Sequence, residues 1–399
     1  MLENLKTEVA GLGKPQWRPM LSYTADLHER SIHPPVYPFE LPWEEIGPGY
    51  FASPAFGHWD IVHQILDVLP SEPEHAGNQI INDLANQMED GMVPGSIWMK
   101  GEQPRWSKTC SHPPVWPAAV QEYWQATGDL SLVAYAFDRL LRQIAWFENN
   151  RKAEPAGYFY LDILRKGWES GVDEGVRFDE TLPGQFACVD ATSHVYWLYH
   201  HAKLWAEILG RDAKPFEHQA RALADFIQNE LFDPETGFFY DVWSVRNPQI
   251  RHLTFEGMWP LVVGAAAPEQ AQRAIDENIL NPDRFLTPHP ISSVAASDVK
   301  FELRCWRGPT WNSMTFWAAR GCCTYERPDA ARVLLENALD SSARQFERTG
   351  KIWEFYHPYG DDPLTLARKP HTNYNHPCPD YLGHNPLIAM ARLWESCLE

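Results

Sequence analysis

Apolar residues return at i, i+3 and i+4 spacing in eleven stretches, 57–69, 74–89, 115–126, 130–150, 190–209, 215–230, 254–264, 268–280, 310–321, 328–348 and 383–397. GHWDIVHQILDVL, at 57–69, is typical. A helix with one apolar stripe must bury it against a neighbour, so a chain built of such segments folds as helix on helix. Proline or short polar residues mark the starts, as in PSEPEHAG before the second stretch and RPDAARV at the tenth. Strand-like runs are confined to GFFYDVWS, after the DPETG turn, and IWEFY. The chain has no strand–helix alternation, no G-x-G-x-x-G and no P-loop, which argues against nucleotide-binding α/β folds. The expectation is an all-α toroid: six helical hairpins in two concentric rings, a few short strands in loops, and a pocket formed by the connections at one end. An open solenoid of helix pairs is the alternative, but no repeat of fixed period supports it. Residues 1–399 read as one domain, with 1–50, aromatic, proline-rich and weakly periodic, as an irregular N-terminal wrap.

The 399 residues carry 53 acidic and 34 basic side chains, a formal charge of -19 that argues against nucleic acid or anionic membranes as partners. No stretch approaches the roughly 20 apolar residues of a membrane span, and MLENLKTEVAGLGKPQW lacks the order of a secretion signal, so a cytoplasmic location is expected. The 7 cysteines are an odd number without a C-x-x-C pair, which indicates neither a disulfide framework nor a zinc site. No metal or cofactor is expected.

Aromatic residues are abundant, 18 Trp, 15 Tyr and 19 Phe, and many sit beside glycine, proline or charge rather than in helical stripes. Such faces serve as core filler or as platforms for the C–H faces of sugars. Five stretches join a tryptophan to polar groups at a helix border: FGHWD (56–60), GMVPGSIW with CSHPPVWPAAV (91–98 and 110–120), WESGVDEGVRFD (168–179), CWRGPTWNSMTFW (305–317) and KIWEFYHPYGD (351–361). The third gathers Glu169, Asp173, Glu174 and Arg177 around two glycines, beside Trp168. Taken alone, the stretch leaves Asp173, Glu169 and Glu174 as rivals for one acid role, and Glu354 has rivals in Glu256, Asp361 and Asp362. Arg177 would hold Glu169 or a substrate hydroxyl. Asp60 reads as a sugar-hydroxyl acceptor or a helix N-cap.

In this order, ESG-x-D followed four residues later by arginine and then an aromatic, SHPP-x-W, WRGP-x-W and a late Glu-x-Tyr resemble the trehalases and glycoside hydrolase family 63 over roughly residues 50 to 360. The compact length is most similar to the small bacterial members, which include mannosylglycerate and glucosylglycerate hydrolases. The resemblance implies an (α/α)6 barrel and hydrolysis of an α-glycoside with inversion. It puts Asp173 on the general acid and Glu354 on the general base, and inversion requires such a pair roughly 6.5–9.5 Å apart with a water between them. Trp59, Asp60, Trp116, Trp168, Glu169, Gly171, Arg177, Trp306, Arg307, Trp311 and Tyr356 fall at substrate-binding positions.

The leading expectation is an exo-acting inverting hydrolase of α-glucosidase type that takes a small-molecule α-glycoside and releases a terminal sugar, glucose. Mannosylglycerate or glucosylglycerate hydrolysis and trehalose hydrolysis are the alternatives within the class. A sugar 2-epimerase using histidines on the same kind of toroid, and a noncatalytic sugar-binding protein, are the alternatives outside it. Lys100, Arg105 and Lys108, in GSIWMKGEQPRWSKTC, form either a lid suited to a carboxylate on the leaving group or a solvated basic loop. After Glu354 the resemblance frays. HTNYNHPCPDYLGHNPLIAMA replaces the usual closing segment, and His371, His376, Cys378 and His384 there read as a hydrogen-bonding pocket wall rather than a metal site.

Overall fold

The computed structural model describes residues 2–165, 167–181 and 183–398. Its helices are α1 (Glu3–Val9), α2 (Arg18–Arg30), α3 (Asp60–Val68), α4 (Pro73–Ala85), α5 (Trp116–Thr127), α6 (Leu130–Asn150), α7 (Val189–Ile208), α8 (Lys214–Glu230), α9 (Val242–Arg246), α10 (Trp259–Val262), α11 (Pro268–Arg273), α12 (Asn312–Thr324), α13 (Pro328–Thr349) and α14 (Leu387–Ser396). A π-helical turn at Ala274–Ile279 prolongs α11. Each of the eleven periodic stretches carries helix, and the local stops are those the residues dictate. Gly128 and Gly350 end α5 and α13 in the left-handed conformation, and the Asp129 side chain caps α6 by accepting from the Ser131 and Leu132 N–H groups.

The helices form an (α/α)6 barrel. Buried along its whole length, α3 belongs to the inner ring with α5, α7, α10, α12 and α14. By contrast α8 buries only Ala220, Leu223 and Ile227, one stripe, as an outer-ring helix does. Contacts run from α3, α5, α7 and α12 each to the outer helix that follows it, and between α3 and α14, which closes the ring. The twelfth barrel helix among the described residues is α2, packed on α13 and α14. This corrects the expectation for residues 1–50, since 3–9 and 18–30 are helical and the N-terminal part completes the outer ring. No described helix is long and apolar enough to cross a membrane.

Strands are short. β1 (Ile32–His33) pairs with β2 (Trp43–Glu44), and β3 (Ala55–Gly57), β4 (Ser96–Trp98) and β5 (Arg105–Trp106) form an antiparallel sheet. The basic stretch expected as a lid or a free loop is thus hydrogen-bonded to the segment that leads into α3. Of GFFYDVWS only Phe238–Phe239 is strand, paired with Phe232–Asp233, and its end turns into α9; IWEFY makes only isolated bridges, Trp353 to Pro379 and Tyr356 to Thr310.

One buried polar network ties the barrel's closing elements together. His28, on α2, bonds Glu44 through Nδ1 at 2.7 Å and Asp67 on α3 through Nε2 at 3.2 Å. Asp67 also accepts the Ala389 N–H of α14 at 2.7 Å, and Glu44 binds His75 of α4 at 2.7 Å. Burial opposes the charge on His28, but the Glu44 carboxylate and the Asp67 bond overcome it and push the pKa up to about 9. A group raised from its ordinary 6.5 to about 9 contributes stability that is complete below pH 6.5 and lost as pH rises through 9. Urea unfolding should therefore show the His28→Ala variant weaker by roughly 3–5 kcal/mol at pH 6. It should also show the gap between the two proteins narrowing toward pH 10.

Candidate active site

The connections that enter the inner helices gather at one end of the barrel around a cavity of about 420 Å³. Asp60 opens α3, His112 precedes α5, the 168–173 loop precedes α7, Trp306 and Trp311 precede α12, and Tyr381 and His384 precede α14. Trp306 and Trp311 stack 3.8 Å apart with an interplanar angle of 1°, and Trp59 lies 5.9 Å from Trp306 at 17°. The His384 ring meets Trp59 and Trp311 edge-on at 4.8 and 4.7 Å. Trp98 and Trp168 add a further wall. Flat apolar faces interrupted by a few fixed polar groups are what a sugar ring requires.

Within WESGVDEGVRF the structure separates the rival acids. Glu169 is fully buried and consumed: Arg151 grips it with Nε and Nη2 at 2.6 and 2.8 Å, and the Leu161 N–H donates at 2.7 Å. Glu174 pairs with Arg304. Asp173 alone of the three lines this cavity. At the loop's other end Arg177 is buried among Asp190 (2.9 and 2.6 Å), Asp241 (3.1 Å) and Glu256 (3.3 Å). Burial pushes the Asp241 carboxyl up to about 7 against the pull of Arg177, and it raises Glu256 too. Cys188, Asp190 and Asp241 come close enough to hold a cation, and the Arg177 guanidinium already bonds both carboxylates. The expectation that Arg177 holds Glu169 or substrate is corrected: Arg151 holds Glu169, and Arg177 anchors the loop to α7 and to the residues before α9 and α10. The acids on either side of Asp173 thus hold the loop in place, Glu169 on Arg151 and Glu174 on Arg304.

Glu354, 2 % exposed, lines the same cavity. Arg368 donates to it from Nε at 2.8 Å and from Nη2 at 2.8 Å, and the Cys378 N–H adds a third donor at 3.0 Å. These are the donors that a buried charged base among Trp353, Phe355 and Tyr356 requires. The next residue, Lys369, reaches Asp173 Oδ2 with its Nζ at 2.8 Å. Burial opposes the charge on Lys369, yet the Asp173 carboxylate raises its pKa. Adjacent cations thus hold the two candidate catalytic carboxylates. The rivals of Glu354 lie elsewhere: Glu256 in the Arg177 cluster, Asp361 beside His357, and Asp362 capping a short turn.

Asp60 is the first residue of α3, with Trp59 at the N-cap and no side-chain cap bond, so the helix-cap alternative falls. Its carboxyl faces the cavity, accepts from the Tyr381 hydroxyl at 2.5 Å, and is pushed up to about 6 by burial. His112 and His384 line the cavity as uncharged rings, since burial drops His112 to about 4 and His384 well below its ordinary value.

Of the substrate-binding residues expected from sequence, Trp59, Asp60, Trp168, Gly171, Trp306 and Trp311 line the cavity with Asp173 and Glu354. Trp116 does not: its indole donates to Gln143 at 2.7 Å and packs on Trp205 in the core. Tyr356 accepts the Trp353 N–H at 3.0 Å behind the wall, Arg307 pairs with Asp179 at 2.7 Å in an adjoining cavity, and Glu169 and Arg177 are the loop anchors. Sequence reading missed Arg368, Lys369 and Tyr381. For Arg368 and Lys369 the one signal was two adjacent cations in an acidic chain, just before the run that breaks the family pattern; Tyr381 stands inside that run. His384, read as a pocket wall, is one.

Gly171 has φ +75°, and a Cβ there would lie 2.0 Å from the Trp59 ring. Gly210 has φ +66° and open space. Gly210→Ala should cost only the backbone strain of about 1–2 kcal/mol, whereas Gly171→Ala should cost clearly more in urea unfolding and weaken the near-UV circular dichroism of the tryptophans.

The sequence profile of the mannosylglycerate hydrolase MGH1-like glycoside hydrolase domain matches residues 54–377. Mannosylglycerate hydrolase MGH1 of Selaginella moellendorffii is 24% identical over 392 residues, covering 78% of each chain. The mannosylglycerate hydrolase of Rubrobacter radiotolerans is 22% identical, covering 75% of this chain and 86% of that one. Among solved structures, the GH63 mannosylglycerate hydrolase from Thermus thermophilus in complex with glucose shares the fold with a TM-score of 0.71 at 19% identity, over 96% of this chain and 100% of that one. Neutral trehalase Nth1 from Saccharomyces cerevisiae shares it with a TM-score of 0.64 at 15% identity, over 86% and 74%. With the profile matched across most of its length and the barrel in place, this chain belongs to the MGH1-like mannosylglycerate hydrolase family of glycoside hydrolases, of the glycoside hydrolase family 63 type.

Proposed function

We propose that the protein is an inverting, exo-acting α-glycoside hydrolase that releases one terminal hexose, glucose or mannose, from a small glycoside. The observation that carries this reading is that Asp173 and Glu354, each held by its own cation, line a single aromatic cavity. Glu354 removes a proton from water as the water attacks C1. Asp173 donates a proton to the departing oxygen as the C1–O bond breaks, and the sugar leaves with inverted configuration. Asp173 must be protonated at that moment, so a leaving group has to take the place of the Lys369 ammonium on Oδ2. Burial and three donors keep Glu354 oriented toward the sugar. Asp60, with Tyr381 behind it, accepts from a sugar hydroxyl, and the stacked tryptophans take the ring's apolar face.

Arg105 favours a leaving group that carries a carboxylate. It lines the cavity, and among the described residues its side chain makes no ion pair or hydrogen bond. The relatives named mannosylglycerate hydrolase support the same leaving group. The 2.7 Å bond between His384 Nδ1 and the Ser313 hydroxyl supports a hydrogen-bonding place in the wall for that ring. We place the enzyme in the cytoplasm, a compartment that suits seven free thiols.

The test is a panel of mannosylglycerate, glucosylglycerate, trehalose and α-linked glucose disaccharides, followed chromatographically with wild type, Asp173→Asn and Glu354→Gln. Wild type should hydrolyse at least one of them, and each variant should lose about 10²–10⁴-fold in kcat while still binding. Full activity in either variant would remove that residue from the reaction.

A further inference from the structure

A second cavity, of about 600 Å³, adjoins the first and is larger than it. The two share Trp168, Asp173 and Lys369. We propose that this second cavity is an extended leaving-group subsite, which takes a further sugar or polyol beyond the unit bonded directly to the scissile oxygen. The inference rests on the reading of Asp173 as the general acid.

The acid must touch the departing oxygen, so the leaving group begins at Asp173. Asp173 and Lys369 form the wall common to both spaces, and a leaving group that displaces Lys369 from Asp173 opens toward the second. A three-carbon acid would leave most of that volume unused, whereas a further ring or polyol would occupy it.

The lining identifies the chemistry. Trp168 and Phe178 supply flat apolar faces. Of the cations there, Arg304 is matched by Glu174 and by Glu302 at 2.9 Å, Arg307 by Asp179 at 2.7 Å and by Glu302 at 3.0 Å, and Lys369 by Asp173 at 2.8 Å, whereas Arg165 is exposed and its side chain makes no ion pair or hydrogen bond among the described residues. The paired groups offer planar donors and acceptors to hydroxyls. Asp162 adds a carboxyl that burial pushes up to about 7, so near neutrality it both donates and accepts. Glu174, held at φ 58°, gives its carbonyl to Arg307 at 3.1 Å and thereby ties this wall to the loop that carries Asp173.

The test compares isomaltose with isomaltotriose, kojibiose with kojitriose, and maltose with maltotriose, each pair sharing terminal sugar and linkage. Wild type is assayed beside Thr181→Trp, which places an indole in the second cavity. Wild type should favour the trisaccharide of the cleaved linkage by about tenfold in kcat/KM, and Thr181→Trp should remove that preference. A disaccharide cut as well as its trisaccharide, or an equal loss on both in the variant, would overturn the subsite. If none of these six is cleaved, the hydrolase reading is decided by the glycerate and trehalose substrates above, and binding decides the subsite by itself. Saturation-transfer NMR on Asp173→Asn should then show contact along the reducing-end unit of a trisaccharide, and no contact there with any of the three would overturn it.

Discussion

The site depends on two ion pairs made by neighbouring residues. Arg368 holds Glu354 and Lys369 holds Asp173, so one dipeptide fixes both carboxylates. In a chain with formal charge -19, acids withdrawn from water need paired cations, because an unpaired buried charge costs several kcal/mol. Asp173 lies before α7 and Glu354 after α13, and the 368–369 pair is a point where these distant stretches meet. Any slip in the long connection between α13 and α14 would uncouple both acids at once.

The opposite side of that arrangement is just as constrained. Arg151 holds Glu169 and Arg177 is buried in a carboxylate cluster, so the loop between them is pinned at both ends by charge pairs out of contact with the cavity. Gly171 brings the loop against Trp59 where no side chain fits. The barrel makes this economical. Inner helices that all begin at one end deliver Asp60, the 168–173 loop, Trp306, Trp311 and His384 to one place, and the His28 network holds α2, α3 and α14 together where the ring closes.

Much of this was legible in the sequence, for identifiable reasons. Helices announce themselves because their burial is periodic, and α3, α6 and α13 fall within a few residues of their apolar stretches. Of the helices missed, α1 and α9 are only 7 and 5 residues long, too short to show a period, and α2 buries Thr24 and His28 among its apolar positions; a polar residue that is buried because its partners sit on other elements breaks the pattern on which periodicity relies. That Asp173, Glu354, Trp59, Asp60, Trp306 and Trp311 come to one cavity was legible because each stands in a short motif at a helix border. Arg368 and Lys369 were not, since which acid a cation meets is a tertiary fact. For the same reason Arg177 and Glu169 were matched wrongly to each other, and Trp116 and Tyr356, aromatic and next to motif residues, belong to the wall's backing and the core.

The claim at the centre of this account is that Glu354 activates water directly while Asp173 protonates the leaving oxygen, with no covalent sugar on the enzyme. Proton NMR in the first minutes of hydrolysis of the best α-glycoside reads this through the anomeric signals. The account predicts that β-hexose accumulates first and that α-hexose follows only at the rate of mutarotation. If α-hexose is formed first, the configuration is retained, a carboxylate has attacked C1, and the roles given to Glu354 and Asp173 are wrong.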